Sequence, residues 1–336
     1  MQKFLACILF IPAILFAKDM DVHNKNKILT DLKQEISEQY VVEQNVPEIL
    51  AALESLSSSG MLLTLAGEKE FAKAIDEKLK PFDKHFSFNW SDPNQPQDNN
   101  PSESYWDELK RKNSGFNKVE ILEGNIGYID FWGFDKVNNK SRQRVANVMS
   151  FVAETDAIIF DVRNNGGGHP EMVQLLISYL LDKRTHLNSI YWRHSNTTDE
   201  FWTFRRVKGK RLANIPVYIL TSNDTFSAAE EFAYDLQSLN RAIVIGEATG
   251  GGAHPKRFID FGRGFVAGIP YGKAINPITK TNWEWVGVTP DVIAQKDSAF
   301  NIGYKTALEK LLMTKIGIVQ KTEIENKIRV LSAQTN

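Results

Sequence analysis

The sequence predicts an α/β protein that begins with helices and continues as a layered domain with a partly parallel sheet. Two patterns indicate this architecture. Between residues 25 and 80, apolar residues recur every three or four positions, which is typical of amphipathic helices. Beyond residue 119, short apolar runs alternate with helical patterns, as in strands joined through helices within one sheet. An apolar content of 42% is enough to fill the core of such a protein.

The first 17 residues differ from the rest of the chain. Lys3 gives a short basic start, residues 5–16 are apolar, and Ala17 is a small residue before the polar Lys18. We therefore expect a secretory signal peptide that is cleaved after Ala17. Its apolar run is too short to span a bilayer comfortably, so we expect no membrane anchor after cleavage. The only cysteine, Cys7, would leave with it, which excludes disulfides and a cysteine nucleophile from the mature protein.

Residues 18–92 are predicted to form an N-terminal helical domain. Three apolar stripes mark its helices: Ile28, Leu32, Ile36 and Tyr40; Ile49, Leu50, Leu53 and Leu56; and Phe71, Ile75 and Leu79. The alternating segment 82–90 predicts a strand. Residues 93–117 begin with a run of Asp, Asn, Pro, Gln and Ser, and we interpret them as a linker or exposed loop.

Residues 118–336 are predicted to form the second domain, with helices at its C-terminal end. The predicted strands cover residues 126–132, 157–162, 217–220 and 242–245. The predicted helices cover residues 140–154, 170–182 and 227–240, and the tail from residue 298 is also helical. Residues 258–276 predict antiparallel strands that turn around Gly262 and Gly264.

A serine stands where a predicted buried strand turns into a predicted helix. Ser227 begins the helical pattern, and Glu230 follows at the spacing of a capping box. Judged alone, a serine in this position is more often a helix cap than anything else. The alternative is a nucleophile, beside which the free N–H groups of the helix would favour negative charge. The local pattern leaves both roles open.

Two glycine-rich loops follow predicted strands, at residues 164–168 and 246–252. Consecutive glycines allow a ligand to approach backbone N–H groups closely, as in an oxyanion hole, although they also occur in ordinary tight turns. No Gly-Lys-Ser/Thr follows, which argues against a phosphate loop. No pair among His85, His169 and His254 has the spacing of a metal-binding motif, so we expect no metal and no other cofactor. A formal net charge of −1 argues against a nucleic-acid partner.

Four motifs occur in a fixed order along the chain: DVRNNGGG from residue 161, TSNDTFSAAEEFAY from 221, GEATGGGAHP from 246 and WEWVGVTPD from 283. This combination resembles the serine peptidase family of the C-terminal processing proteases, the tricorn core and interphotoreceptor retinoid-binding protein. The likeness extends over residues 25–312. The GGAHP and VGVTPD signatures and the helical N-terminal region are most similar to the retinoid-binding-protein branch. The resemblance implies a crotonase-like (ClpP/crotonase) core of ββα units behind the N-terminal helical domain.

The resemblance also implies roles for individual residues. Ser227 would be the nucleophile, and the backbone N–H groups of Gly167, Gly168 and Ala228 would form the oxyanion hole. The processing proteases pair their serine with a lysine, whose place is taken here by Gly252. A Ser–Lys dyad is therefore absent, and the peptide-binding PDZ module of those proteases is missing too.

The tricorn branch instead uses serine, histidine and glutamate. Glu284 stands three residues before Gly287, as the tricorn glutamate does relative to its motif. No histidine occupies the corresponding stretch before the first core strand. We rank His85 first and His254 second as the base, and we expect activity to rise with pH through the ordinary histidine range. Gly251 and His254 are expected to line the substrate site.

These expectations combine into a secreted or periplasmic serine-type peptidase that acts on a peptide or protein substrate. The alternative is a non-catalytic protein of the same fold that binds an apolar ligand or peptide, because the retinoid-binding branch shows that the fold can hold such ligands. Convergence of His85 and Ser227 on one cleft would favour the enzyme, whereas an apolar pocket without it would favour binding. The oligomeric state does not follow from the sequence.

Overall fold

The computed structural model describes residues 20–94 and 103–334. The predicted signal peptide, residues 1–17, and the middle of the predicted loop at 91–104 lie outside the described residues. The helices are α1 (Val22–Gln39), α2 (Val46–Ser58), α3 (Met61–Thr64), α4 (Gly67–Leu79), α5 (Tyr105–Arg111), α6 (Asn139–Phe151), α7 (Pro170–Leu180), α8 (Ala228–Ser238), α9 (Ala299–Leu312) and α10 (Ile318–Gln334). The strands are β1 (Ser87–Trp90), β2 (Phe116–Leu122), β3 (Ile126–Phe131), β4 (Ala157–Asp161), β5 (His186–Trp192), β6 (Thr197–Trp202), β7 (Val217–Thr221), β8 (Ala242–Gly246), β9 (Lys256–Gly262), β10 (Phe265–Pro270), β11 (Gly272–Ile275) and β12 (Val292–Ile293).

The central sheet has six strands in the order β12-β8-β7-β4-β3-β2. All neighbouring pairs are parallel except β2 and β3, which form an antiparallel hairpin at one edge. The predicted partly parallel sheet is therefore confirmed. Because β4, β7 and β8 are joined through helices, helices cover the sheet on both faces, and its strands are apolar on both sides.

Strand β4 shows how the two faces are built. Ile158 and Phe160 point into the core under α6, α7 and α8, whereas Ala157 and Ile159 point into the core under α9 and α10. Every residue of β4 is buried as a consequence. The same alternation along β7 holds the segment before Ser227 rigidly between two packed layers.

The N-terminal helices share a separate core with a second, antiparallel sheet of order β1-β10-β9. Leu32, Leu53 and Phe71 of α1, α2 and α4 pack into one cluster with Phe265 and Ile269 of β10. The three predicted helices are thus present, and strands from much later in the chain complete their core. A third sheet, β11-β5-β6, is also antiparallel.

Two segments differ from the sequence-based prediction. The strand expected over residues 82–90 begins only at Ser87, because residues 81–85 form turns in which Asp83 accepts the backbone N–H of His85. The segment expected to be a linker contains helix α5, which begins after Ser104, whose side chain accepts the N–H of Asp107 as an N-cap. The strand prediction was therefore too long, and α5 was missed.

Within residues 20–94 and 103–334, no helix is both long and apolar enough to cross a membrane.

Candidate active site

The loops that carry the sequence motifs meet at one edge of the central sheet. They follow β4, β7 and β8, which are neighbours in the sheet and run parallel. The carboxyl ends of these strands therefore lie side by side, which is where α/β proteins commonly place their ligands. Ser227 belongs to the loop after β7, between the two glycine-rich loops.

Ser227 has a strained backbone conformation. Its φ is 55° and its ψ is −119°, and a side chain other than glycine rarely adopts a positive φ. Such a conformation costs on the order of 1–3 kcal/mol and persists only where the surroundings enforce it. Ser227 is half-buried and directly precedes helix α8. A half-buried serine on a strained turn between a strand and a buried helix is typical of a nucleophile.

The carboxylate of Glu230 ties this strained turn to the loop after β8. Its Oε2 accepts the backbone N–H of Ser227 at 2.7 Å and that of Gly252 at 2.9 Å. Its Oε1 accepts the Thr249 hydroxyl and the Gly251 N–H, both at 2.6 Å. Glu230 is fully buried, so burial raises its pKa to about 7 although these donors act in the opposite direction. Glu230 therefore does far more than cap a helix.

The loop after β4 contacts the serine directly. A Cβ placed on Gly167 would lie 2.8 Å from Ser227 Cβ and 2.9 Å from the Ala228 nitrogen, so only glycine fits there. The Gly167 N–H itself donates to Asn165 Oδ1 at 2.9 Å. Among the described residues, the N–H groups of Gly168 and Ala228 have no acceptor. These two are the donors available to a developing oxyanion, whereas Gly167 provides the close approach.

A tyrosine from helix α5 holds this loop from its other side. The Tyr105 hydroxyl donates to the Gly167 carbonyl at 2.8 Å, and Asn165 Nδ2 donates to the Phe131 carbonyl at 2.9 Å. The ring of Tyr105 also packs edge-on against Trp132. The loop is therefore fixed by side chains as well as by its backbone.

His85 lies next to the serine loop, in the turn before β1. Its ring packs on Phe226, the residue before Ser227, with 4.7 Å between ring centroids. A Cβ placed on Gly252 would lie 2.6 Å from His85 Cε1, so the histidine ring occupies space beside the position that the processing proteases give to lysine. Burial lowers the pKa of His85 to about 4, although Asp83 opposes the shift.

Asp83 connects both candidate histidines. Its Oδ2 lies 2.6 Å from His254 Nδ1, and its Oδ1 accepts the His85 N–H at 2.8 Å and lies 3.9 Å from His85 Nδ1. Glu284 completes the cluster, with its Oε2 accepting the Ala253 N–H at 2.5 Å and lying 3.6 Å from His254 Nδ1. Burial raises the pKa of Glu284 to about 7, against the influence of His254.

The low pKa of His85 changes one expectation from the sequence. We predicted that a histidine base would titrate in its ordinary range near 6.5, but burial makes the charged imidazolium costly. His85 is therefore neutral, and able to accept a proton, throughout the neutral range. Any rise in activity near pH 7 must come from another group, and burial raises the pKa of two carboxyl groups of the site, Glu284 and Glu230, to about 7.

Comparison with known proteins shows the family of the chain. The sequence profile of peptidase family S41 matches residues 125–294, which is half of the chain. The chain belongs to peptidase family S41. The matched region spans the central sheet from β3 to β12 and includes Ser227 and Glu284. The serine peptidase family predicted from the motifs is thereby confirmed.

Relatives of this S41 chain are distant. It is 23% identical to the carboxy-terminal processing protease CtpB of Bacillus subtilis (strain 168) over 153 residues, which are 45% of this chain and 30% of CtpB. The photosystem II D1 C-terminal processing protease has a similar structure, with a TM-score of 0.51, 14% identity, and coverage of 82% of this chain and 94% of that one. Tricorn protease gives a TM-score of 0.52 at 15% identity, covering 92% of this chain and 37% of tricorn. At these identities the structures support the fold alone.

Sequence reasoning missed three residues of this S41 site. Asp83 and Tyr105 were not identified, and Glu230 was considered only as part of a capping box. The Ser-x-x-Glu spacing was the one available signal for Glu230. The two residues predicted to line the substrate site form hydrogen bonds within the chain. The Gly251 N–H donates to Glu230, and His254 Nδ1 pairs with Asp83.

Proposed function

We propose that this S41 chain is a serine-type peptidase that hydrolyses peptide bonds with Ser227 as nucleophile, His85 as base and Glu284 as the acid that orients the base. The Ser227 hydroxyl attacks the substrate carbonyl carbon while His85 takes its proton. The N–H groups of Gly168 and Ala228 stabilise the oxyanion. His85 then protonates the leaving amine, and water hydrolyses the acyl-enzyme with the same base.

The observation that carries the proposal is the geometry around Ser227. The serine is held at φ 55° directly before a buried helix and lies so close to Gly167 that no Cβ fits there. Within the part of the chain that the structure describes, the nearby N–H groups of Gly168 and Ala228 have no acceptor. A helix cap requires none of these features, because ordinary caps have an extended backbone and no second loop against them. This argument favours the nucleophile over the cap.

The position of Glu284 supports its part in the proposal. One polar atom from each of Asp83, His85 and Glu284 lies within 4.8 Å of the other two. His85 Nδ1 and Glu284 Oε1 are both buried without a hydrogen-bond partner among the described residues. We expect these two atoms to approach when substrate binds, because catalytic hydrogen bonds often tighten at that stage.

A fluorophosphonate probe tests the nucleophile. We expect it to label Ser227 in the wild-type protein and to label nothing in Ser227→Ala. His85→Ala should reduce the turnover of a peptide or ester substrate by about 10²- to 10⁴-fold while keeping its circular dichroism spectrum. His254→Ala is the matched control, because it removes the neighbouring imidazole. If only His254→Ala loses activity, His254 is the base; if the probe labels nothing, the peptidase proposal fails.

The cavities of the structure give little support to the alternative, a non-catalytic protein that binds an apolar ligand. Two cavities of about 480 and 710 Å³ lie away from Ser227, and charged side chains line both. Those charged residues are Arg142, Arg206 and Lys208 in the first cavity and Lys118, Glu120, Glu123, Arg163, Asp297 and Lys327 in the second. An apolar ligand would bury these charges at a cost in free energy.

The proposal extends to architecture and location. The antiparallel β2–β3 hairpin followed by α6 supports a crotonase-like ββα core, and α1 to α4 support an N-terminal helical domain. The pattern of Lys3, the apolar run and Ala17 supports export to the periplasm or medium after cleavage. N-terminal sequencing of exported protein should begin at Lys18, and retention of Met1 would contradict cleavage. The retinoid-binding-protein branch stays a prediction from the GGAHP and VGVTPD signatures.

A further inference from the structure

Three side chains come together beside the loop that carries Ser227, two from the turn before β1 and one from the segment before β12. Asp83, His85 and Glu284 each offer one metal-ligating atom within 4.8 Å of the other two. Asp83 is fully buried, and the side chains of His85 and Glu284 are 7% and 9% exposed. Such a cluster is costly unless its polar atoms find partners.

Two polar atoms of these side chains have no hydrogen-bond partner in residues 20–94 and 103–334. His85 Nδ1 and Glu284 Oε1 are buried, and neither makes a hydrogen bond within the described chain. An unpaired buried polar group costs about 1–3 kcal/mol. The lone pair of a neutral imidazole and a carboxylate oxygen can both be satisfied at once by a cation placed between them.

We propose that Asp83, His85 and Glu284 form an inhibitory binding site for a divalent transition-metal ion, with Zn²⁺ as the favoured ion. One imidazole nitrogen and two carboxylate oxygens form a typical three-ligand zinc set, with water as the fourth ligand. Mg²⁺ and Ca²⁺ require about six or more oxygen ligands, which three buried side chains cannot supply. The sequence analysis predicted no metal because it searched for ligands at short spacings, whereas Glu284 lies far from Asp83 and His85 in the sequence.

Neighbouring hydrogen bonds hold the ligands in orientation. Asp83 is fixed by His254 Nδ1 at 2.6 Å and by the His85 N–H at 2.8 Å. Glu284 is fixed by the Ala253 N–H on its Oε2, which leaves Oε1 free to bind the ion. Partners of this kind orient metal ligands, and losing one typically weakens binding about 10- to 100-fold.

The inhibitory effect rests on the proposed function, whereas binding does not. An ion on His85 Nδ1 and Glu284 Oε1 would separate the base from the acid that orients it. Turnover would then fall in proportion to the fraction of protein that holds the ion.

Binding is measured first on full-length Ser227→Ala protein, by titrating Zn²⁺ against a chromophoric chelator. We expect one Zn²⁺ per chain, and no competition from Mg²⁺ or Ca²⁺ at equal concentration. His85→Gln and Glu284→Gln should each weaken binding by at least about tenfold. His186→Ala is the matched control, because His186 stacks on Trp202 outside the cluster, and it should bind Zn²⁺ as before.

Anomalous scattering from a Zn²⁺-soaked crystal of the same protein locates the ion without relying on variants that fail to fold. A peak among Asp83, His85 and Glu284 supports the site; a peak elsewhere, or no binding, overturns it. With wild-type protein, Zn²⁺ should inhibit hydrolysis and a chelator should restore it. If Zn²⁺ binds at the cluster but the wild-type protein hydrolyses no substrate, the peptidase proposal is refuted and the metal site is retained. If the protein hydrolyses its substrate at the same rate with and without Zn²⁺, the inhibitory role is refuted.

Discussion

Replacing Glu230 with glutamine tests whether its carboxylate holds the strained serine. Glutamine has nearly the same shape, but it offers one acceptor oxygen where the carboxylate offers two. If the amide nitrogen replaces Oε2, the N–H groups of Ser227 and Gly252 lose their acceptor. If it replaces Oε1, the Gly251 N–H loses its acceptor and the Thr249 hydroxyl has to turn.

The magnitude follows from the number of donors left unpaired. Each buried N–H without an acceptor costs about 1–3 kcal/mol. The better orientation of the glutamine places its amide nitrogen at the Oε1 position and leaves only the Gly251 N–H without an acceptor. Glu230→Gln should therefore lower the free energy of unfolding by about 1–3 kcal/mol. Glu230→Ala removes all four acceptor contacts and releases Ser227 from its strained φ. We expect the rate at which the fluorophosphonate probe labels the Glu230→Ala variant to fall by about tenfold or more. A tenfold fall corresponds to about 1.4 kcal/mol in the activation free energy of labelling.

Urea denaturation followed by circular dichroism measures the loss of stability in Glu230→Gln. The rate of fluorophosphonate labelling measures the loss of reactivity in Glu230→Ala. Glu231→Gln is the matched control, since Glu231 is the next residue of α8 and is also buried. Its backbone N–H donates to the Ser227 carbonyl, which the substitution keeps, and its carboxylate makes no hydrogen bond to Ser227. Unchanged stability and labelling in both Glu230 variants would refute the idea that this carboxylate positions the nucleophile.

Three further predictions concern the site and its support. Gly167→Ala should reduce turnover by about a hundredfold or more, because the added Cβ would lie 2.8 Å from Ser227 Cβ; near-normal kcat in a folded variant would exclude this loop from the oxyanion hole. Activity should rise with pH through about 7, where Glu284 and Glu230 both ionise, and Glu284→Gln should reduce that limb of the kcat profile and leave the part that belongs to Glu230. Burial raises the pKa of Glu231 from 4.5 to about 8, so the native state binds more protons than the unfolded state within that window. Stability should fall as pH rises through it, and thermal unfolding of Glu231→Gln should show a weaker dependence on pH.

Local periodicity accounts for most of what the sequence predicts correctly. The runs at 157–162 and 217–220 are buried strands because both faces of the sheet are covered, and the three N-terminal stripes are helices. The length of the strand over 82–90 was overestimated. The alternation of apolar and polar residues does not reveal that Asp83 accepts the N–H of His85 and so stabilises a turn there. Glycine patterns and Ser227 located the site, and the loops did come together at one sheet edge.

The remaining parts of the site depend on contacts between residues far apart in the chain. Asp83 contacts His254, which lies 171 positions later in the chain, and Glu230 contacts Gly251 in the loop after β8, 21 positions later. The pKa values of His85 and Glu284 depend on burial, so no ordinary side-chain value predicts them. Tyr105 was missed because a seven-residue helix within a polar stretch gives too short a pattern to recognise.

The distribution of the cluster along the chain has a consequence for biosynthesis. Asp83 and His85 are translated first, Ser227 much later, and Glu284 close to the C-terminal helices. The strands that complete the core of the N-terminal helices are also made after Ser227. A growing or truncated polypeptide that ends before residue 284 therefore carries a serine and a histidine without the acid that would couple them. Under the proposed mechanism, hydrolytic competence would arrive only with the finished fold.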